Sequence, residues 1–394
     1  MAQGTASLTD IWRNTILCRI RAGGNFARAT ITRADVSTCA TRWLNDGTLG
    51  TVAASVLRTE WVDLDGDGIR ETPGISLEGT RTNVVLWNRD MTNAAWTKTT
   101  MTAAKDQVGL DGVTNSASSL LATAGNATCL QAIVLASSQR AQSVWVKRLV
   151  GSGTINMTMD NGATWTVISV TSTITWTKVT IPSQTLANPT VGFRIVTNAD
   201  KIAVDYVQNE NGAFESSPIA VTTTAITRAS DGLTVPVNYG PAMDVTILAR
   251  FARPVWADGA GTLDTNPFDI LCLADTATAA LQLRCSNTSR VVQAPIRGTS
   301  GFSQPSNQNI PAGTSLIFTA QYKNLTTTPA AAFDVGTGLG AFATGATAFM
   351  AYGSQVLRIG SYTTSGFLYG VLLDVLVTRG LRTRQEMLVL AGRD

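Results

Sequence analysis

Apolar and polar positions alternate with a period of two along much of this chain, in short runs separated by turn residues. "AQSVWVKRL" sets Ser143, Trp145 and Lys147 against Val144, Val146 and Arg148. "TINMTMD", the turn "DNG" at Asp160 to Gly162 and "TWTVISVT" then read as a hairpin. "TWTKVTIP", "TVGFRIVT" and "KIAVDYVQNE" continue the series at the spacing of a β-sandwich. Further on, "MDVTILARFARP" sets Val245, Ile247 and Ala249 against Asp244, Thr246 and Leu248. "PFDILCLAD" and "ALQLRCSN" flank "TATA" as a second hairpin, and "TSLIFTAQYK", "QVLRIGSY" and "GVLLDVLVTR" read as strands. Helical spacing occurs in two places. Leu8, Ile11, Trp12 and Ile16 fit a short helix with Ser7 or Thr9 as its cap, and "TRQEMLVLAG" fits a terminal one. In the second, Thr383 precedes Glu386 by three residues, a capping-box pattern. No repeat argues for a β-helix or propeller.

The chain of 394 residues is too long for one ordinary core, so at least two domains are expected. Only 14% of residues are charged, and the remainder is rich in Thr, Val, Ser and Gly, which favours strands and turns. The expected fold is all-β: two sandwiches behind an irregular N-terminal segment. The boundaries are 1–80, 81–224 and 225–394. Up to Glu60 the chain carries seven arginines, no lysine and four acids. Arginine without lysine suggests fixed, bidentate contacts, and Trp12 and Trp43 offer apolar anchors.

Several classes of function drop out. There is no histidine, which removes Ser–His and Cys–His nucleophile pairs and His-ligated zinc. A net charge of +3 is too small to make nucleic acid the main partner. Neither an apolar run long enough to span a membrane nor a secretory leader is visible. Cys18, Cys39, Cys129, Cys272 and Cys285, an odd set without C-x-x-C, read as small buried residues.

Three groups of residues invite a chemical reading. In "DLDGDGIRE", Asp63, Asp65 and Asp67 have calcium-loop spacing, with Glu71 as a further oxygen donor. The position that needs a bidentate Glu is Gly74, so a turn is favoured over a weak calcium site, and no other cofactor is expected. Among the rings Trp96, Trp145, Trp165, Trp176 and Tyr206, Trp165 just beyond the "DNG" turn is the candidate for glycan contact; core or subunit contact suits the set better. Asp205, Glu210, Glu215, Asp264, Asp269 and Asp374 are scattered, so no enzyme is expected. The segment 325–351 has one acid and no base, which makes Phe333, Phe342 and Phe349 candidates for subunit contacts.

"LEGTRTNVVLWNRDMTNAAWTKTTMT" resembles a segment of bacteriophage virion proteins described as tail, head-fibre or spike proteins. The resemblance is carried by Glu78, Arg81, Thr82, Asn83, Asn93, Ala94, Ala95 and Trp96, and extends over roughly residues 25 to 225. Within it, residues 81–224 are similar to a jelly roll of the carbohydrate-binding-module kind. Residues 225–394 are similar to concanavalin- and laminin-G-like sandwiches. The resemblance implies a structural virion protein, made in the host cytoplasm and displayed as a fibre, spike or decoration of head or tail. It would be a homotrimer that docks on other virion proteins through residues 1–80. The alternatives are a module that recognises host-surface glycan and, behind it, a polysaccharide-degrading enzyme. Membrane insertion is not expected.

Overall fold

Val144 and Val146 are fully buried, while Trp145 and Lys147 on the opposite face of the same strand are only half-buried. That difference locates the first core. The computed structural model describes residues 16–21, 30–32, 40–63, 70, 72–237, 244–252, 268–274, 280–285, 291–294, 296–298, 301–303, 308–309, 315–323, 330–334, 343–344, 355–359 and 370–390. Ser138–Val150 lies second in a five-stranded sheet ordered Thr177–Leu186, Ser138–Val150, Lys201–Asn211, Ala117–Ala122, Met101–Gln107. A facing sheet runs Thr166–Ile168, Ile155–Thr158, Thr190–Ile195, Ala127–Ala132, Thr97–Thr99. All pairings in both are antiparallel. Between them, Leu120, Val144, Ile202 and Val204 meet Cys129, Met157, Phe193 and Ile195, with Trp96 among them. The two sheets form the first of the expected β-sandwiches.

The "DNG" turn has the backbone its residues predict. Asn161 and Gly162 both have positive φ, 60° and 80°, which reverses the chain without splaying the strands.

The second sandwich has a larger pair of sheets. One is ordered Ala343–Thr344, Ala330–Asp334, Ser315–Lys323, Val245–Ala252, Gly370–Arg379, Thr72–Leu77, Thr59–Val62, with Ile16–Arg21 also paired to Gly370–Arg379. The other runs Thr30–Thr32, Gly232–Val237, Gln355–Ile359, Phe268–Ala274, Ala280–Cys285, Val291–Gln293, Gln308–Asn309, with Ile296–Gly298 and Gly301–Ser303 appended. The expected hairpin is there: Ala274 pairs with Ala280. Alternation in Val245–Ala252 does not separate inside from outside, because both faces are covered. Leu248 on its second face packs with Leu376 against Met387 of the helix Arg384–Leu390. That helix starts with the predicted capping box: Glu386 N donates to Thr383 Oγ1 at 3.2 Å, and Thr383 N donates to Glu386 Oε2 at 2.7 Å.

The first eighty residues differ from the irregular segment that their pattern suggests. Ile16–Arg21 is a strand, not the end of a helix, and residues 1–15 lie outside the described residues. It pairs with Gly370–Arg379, Thr30–Thr32 pairs with Gly232–Val237, and Thr72–Leu77 pairs with Gly370–Arg379. The N-terminal segment therefore supplies strands to both sheets of the second sandwich. A separate hairpin, Ala40–Trp43 with Leu49–Val52, lies instead on the outer face of the jelly roll. There Leu49 meets Leu110 and Tyr206, with Trp43, Trp145 and Trp176 around them. Strands of three to six residues show too few alternations to be recognised alone, and the partners of Ile16–Arg21, Thr30–Thr32 and Thr72–Leu77 in the second sandwich lie hundreds of positions away.

Candidate functional site

Glu78 opens the stretch that carries the virion-protein resemblance, and it sits where the two sandwiches meet. Arg228 Nη1 lies 2.7 Å from its Oε2 and Arg58 Nη2 lies 2.9 Å from the same oxygen. Ser217 donates to the carboxylate twice, from N at 2.9 Å and from Oγ at 2.6 Å. Arg58, fully buried, also pairs with Asp231 and donates to Thr41 O at 3.1 Å. Asp231 closes the ring by accepting from Glu78 N at 3.0 Å. Burial alone would raise the Glu78 carboxyl; Arg228, Arg58 and Ser217 hold it well below the ordinary carboxylate range. Two arginines and two carboxylates form a densely hydrogen-bonded buried cluster, with Arg228 Nε left without a partner.

The rest of the motif extends the same joint. Arg81–Asn83 pairs antiparallel with Ile226–Arg228, the strand that follows the jelly roll. Thr82 and Thr227 hydroxyls are 2.8 Å apart, and the Arg81 guanidinium lies 4.8 Å from the Phe214 ring centre. Asn83, wholly buried, uses every part of its amide. Its Nδ2 donates to Val207 O and Ile219 O, both at 3.1 Å, while its Oδ1 accepts from Val85 N at 3.1 Å and Asn209 N at 3.2 Å. Trp96 is in the jelly-roll core and donates its Nε1 proton to Trp87 O at 3.2 Å.

Beside this joint lies a cleft of about 320 Å³. One wall is aromatic: Trp43 and Trp145 meet edge to face with centroids 5.0 Å apart and an interplanar angle of 62°. The Arg70 guanidinium stands 4.3 Å from the Trp43 ring centre and donates to Trp61 O at 2.9 Å. Glu60, Lys178 and Glu215 add polar groups, and Lys178 pairs with Glu215 at 3.2 Å. Trp145 and Lys178 are direct cross-strand neighbours, which puts ring and ammonium side by side. Glu60 keeps part of its surface open, yet it is enclosed enough that burial pushes its carboxyl up, with Arg58 pulling the other way. Cleft and joint share Glu78, Ser217 and Ser76.

The residues singled out from sequence fall differently. Asp63 is half-buried, whereas Asp65, Asp67 and Glu71 lie outside the described residues. The strands that flank this run, Thr59–Val62 and Thr72–Leu77, pair with each other. Gly74, where a calcium loop would need Glu, is packed so closely that a Cβ would fall 2.2 Å from Val371 Cγ1. Trp165 is half-buried, with Arg194 4.6 Å from its ring centre and Gly162 packed against the indole. It is remote from the cleft wall made by Trp43 and Trp145. Trp176 lies on the jelly roll's outer face beside Trp145 and not in the inner core. Phe342, Phe349 and the side chain of Phe333 lie outside the described residues.

Asp205 does bond a neighbouring turn. It accepts from Leu110 N at 2.9 Å and pairs with Arg89 Nε at 2.7 Å. Cys129 is buried in the jelly-roll core, where burial pushes its thiol up to about 12. Among the described residues no group of three His, Cys, Asp or Glu is placed to hold a metal ion. Sequence reasoning missed Arg58, Arg228, Asp231 and Ser217 as one cluster. The lysine-free run of arginines was the available signal for Arg58.

No protein-family model and no curated protein matches this chain. Among solved structures, domains LG4-5 of the mouse laminin alpha1 chain are 12% identical, with 66% of this chain and 88% of that chain covered and a TM-score of 0.23. The N-terminal CBM22-1-CBM22-2 tandem domain of Paenibacillus barcinonensis Xyn10C is 10% identical, with coverage of 79% and 99% and a TM-score of 0.25. At these scores neither likeness carries a functional assignment.

Proposed function

We propose that this chain is a structural bacteriophage virion protein, exposed on the particle as a fibre, spike or decoration of head or tail. The observation that carries the reading is the use made of Glu78, Arg81, Thr82 and Asn83. These residues resemble a virion-protein motif; here Glu78 ties the N-terminal strands to Arg228, Arg81 and Thr82 lie on the strand paired with Ile226–Arg228, and Asn83 fastens that strand to the jelly roll. A projecting component needs successive domains held in a fixed relation, and a buried ion cluster with a fully bonded amide supplies that. Docking on other virion proteins is assigned to residues 1–80, although Arg58 is committed to the joint and not to a partner. Self-association as a homotrimer completes the reading. Immunogold labelling of intact particles with antibody to the purified chain tests it. Label on the particle surface is expected; label confined to the infected-cell lysate would sink it.

A second reading is favoured by the cleft. A receptor-binding module for host-surface glycan needs aromatic wall and polar groups in one concavity, and Trp43, Trp145, Glu60, Arg70, Lys178 and Glu215 meet that need. The two readings are compatible, since an exposed virion protein is where a receptor site is useful.

A further inference from the structure

The cleft has a chemistry more specific than concavity. Its volume of about 320 Å³ stands at the lower end of the range for small-molecule sites, roughly 300–1,000 Å³. Trp43 and Trp145, with their planes 62° apart, give it an angled apolar wall. Around that wall, Arg70 against the Trp43 ring and Lys178 beside Trp145 are donors, while Glu60 and Glu215 are acceptors. The four nearly cancel in charge. The third acid, Glu78, is neutralised from behind by Arg58 and Arg228. A phosphate, a sulfate or a strongly acidic ligand would find no excess of cations here. A ligand with C–H faces and many hydroxyls, each able to donate and accept, would find a partner for both kinds of surface.

The wall also has a fixed form before any ligand arrives. Trp43 is brought in by the hairpin Ala40–Trp43 with Leu49–Val52, and Trp145 by the jelly-roll strand Ser138–Val150. Leu49, Leu110 and Tyr206 pack against the two indoles, and both rings also line the cleft. Glu60 and Arg70 come from the paired strands on the second sandwich's side or the connection between them. The site therefore exists only where the two sandwiches meet. We propose that this cleft binds a neutral saccharide of one or two rings, its sugar face against the Trp43–Trp145 wall and its hydroxyls bonded by Glu60, Arg70, Lys178 and Glu215. The proposal deepens the glycan-receptor reading and rests on it.

The test uses the full chain. A printed array of neutral hexose, N-acetylhexosamine and sialic- or uronic-acid oligosaccharides identifies the tightest neutral sugar, which is then titrated by calorimetry. Glu60→Gln and Lys178→Ala change rim groups outside the jelly-roll core, and each is checked by its melting temperature. Each folded variant is expected to bind about tenfold more weakly, the loss of one hydrogen bond to a charged group. Bound sugar should also shield tryptophan fluorescence of the unaltered chain from acrylamide, a readout that needs no variant. A neutral sugar that binds with no shielding, or equally well to both variants, overturns the cleft while leaving the glycan reading in place. Binding of acidic sugars alone does the same. No binding anywhere on the array overturns both.

Discussion

Arg228 and Glu78 lie 2.7 Å apart, so the strand that leaves the jelly roll is bonded to the residue that ends the N-terminal strands. Replacing Glu78 by Gln leaves Arg58 and Arg228 buried with half their compensation. A loss of about 3–5 kcal/mol at neutral pH is expected, read by urea denaturation. The sign with pH follows from the depressed carboxyl. A group whose folded pKa lies below its unfolded one stabilises above the unfolded value and loses that contribution as pH falls. The gap between wild type and Glu78→Gln should therefore be widest above about pH 4.5 and narrow in stronger acid. A gap that stays constant to pH 2 would remove Glu78 from this role.

Asn83 makes four hydrogen bonds from one buried amide. Asn83→Ala strands the Val85 and Asn209 amide protons, while Val207 O and Ile219 O keep their bonds from Asn88 Nδ2 at 3.1 and 2.9 Å, and a cost of about 2 kcal/mol is expected. Hydrogen exchange should report it locally, with the Val85 and Asn209 amides losing protection first. Protection unchanged at both positions would contradict the clamp.

A fragment cut near residue 225 tests the interweaving. It lacks Ile16–Arg21, Thr30–Thr32 and Thr72–Leu77, and it leaves Arg228 and Asp231 without Arg58 and Glu78. We expect no cooperative melt from residues 225–394 alone, and a cooperative one from 81–224, which has its own core. A cooperatively folding C-terminal fragment would make those three strands dispensable.

Position 74, where a calcium loop needs a bidentate Glu, is a closely packed glycine, so we expect the melting temperature to be the same with and without a calcium chelator. A fall in chelator that Asp65→Ala abolishes would restore the ion-binding reading.

Self-association is the expectation from surface accounting, and the number three comes from the virion-protein resemblance. Val134 and Ile174 are 89% and 85% exposed, and the chain is only 14% charged against roughly 25–35% for an ordinary soluble surface. Light scattering should give a mass three times 41.5 kDa at all accessible dilutions. A stable monomer would end the proposal.

Period-two alternation identified longer jelly-roll strands such as Ser138–Val150, where burial alternates: Val144 and Val146 in, Trp145 and Lys147 out. The capping box of Thr383 and Glu386 and the Asn161–Gly162 turn were legible for the same reason, since their chemistry is local. Nothing local distinguishes Glu78 as the partner of Arg58 and Arg228, or Trp43 as the neighbour of Trp145. Those contacts span 20 to 150 positions of chain and depend on how separate sheets pack. Strands as short as Thr30–Thr32 carry too little alternation to announce themselves, and only their register against Gly232–Val237 reveals them. The sequence determined an all-β chain and the place of its turns. Tertiary packing decided that strands from the first eighty residues join the second sandwich while the hairpin Ala40–Trp43 with Leu49–Val52 packs on the jelly roll, and that the joint they help build borders a cleft.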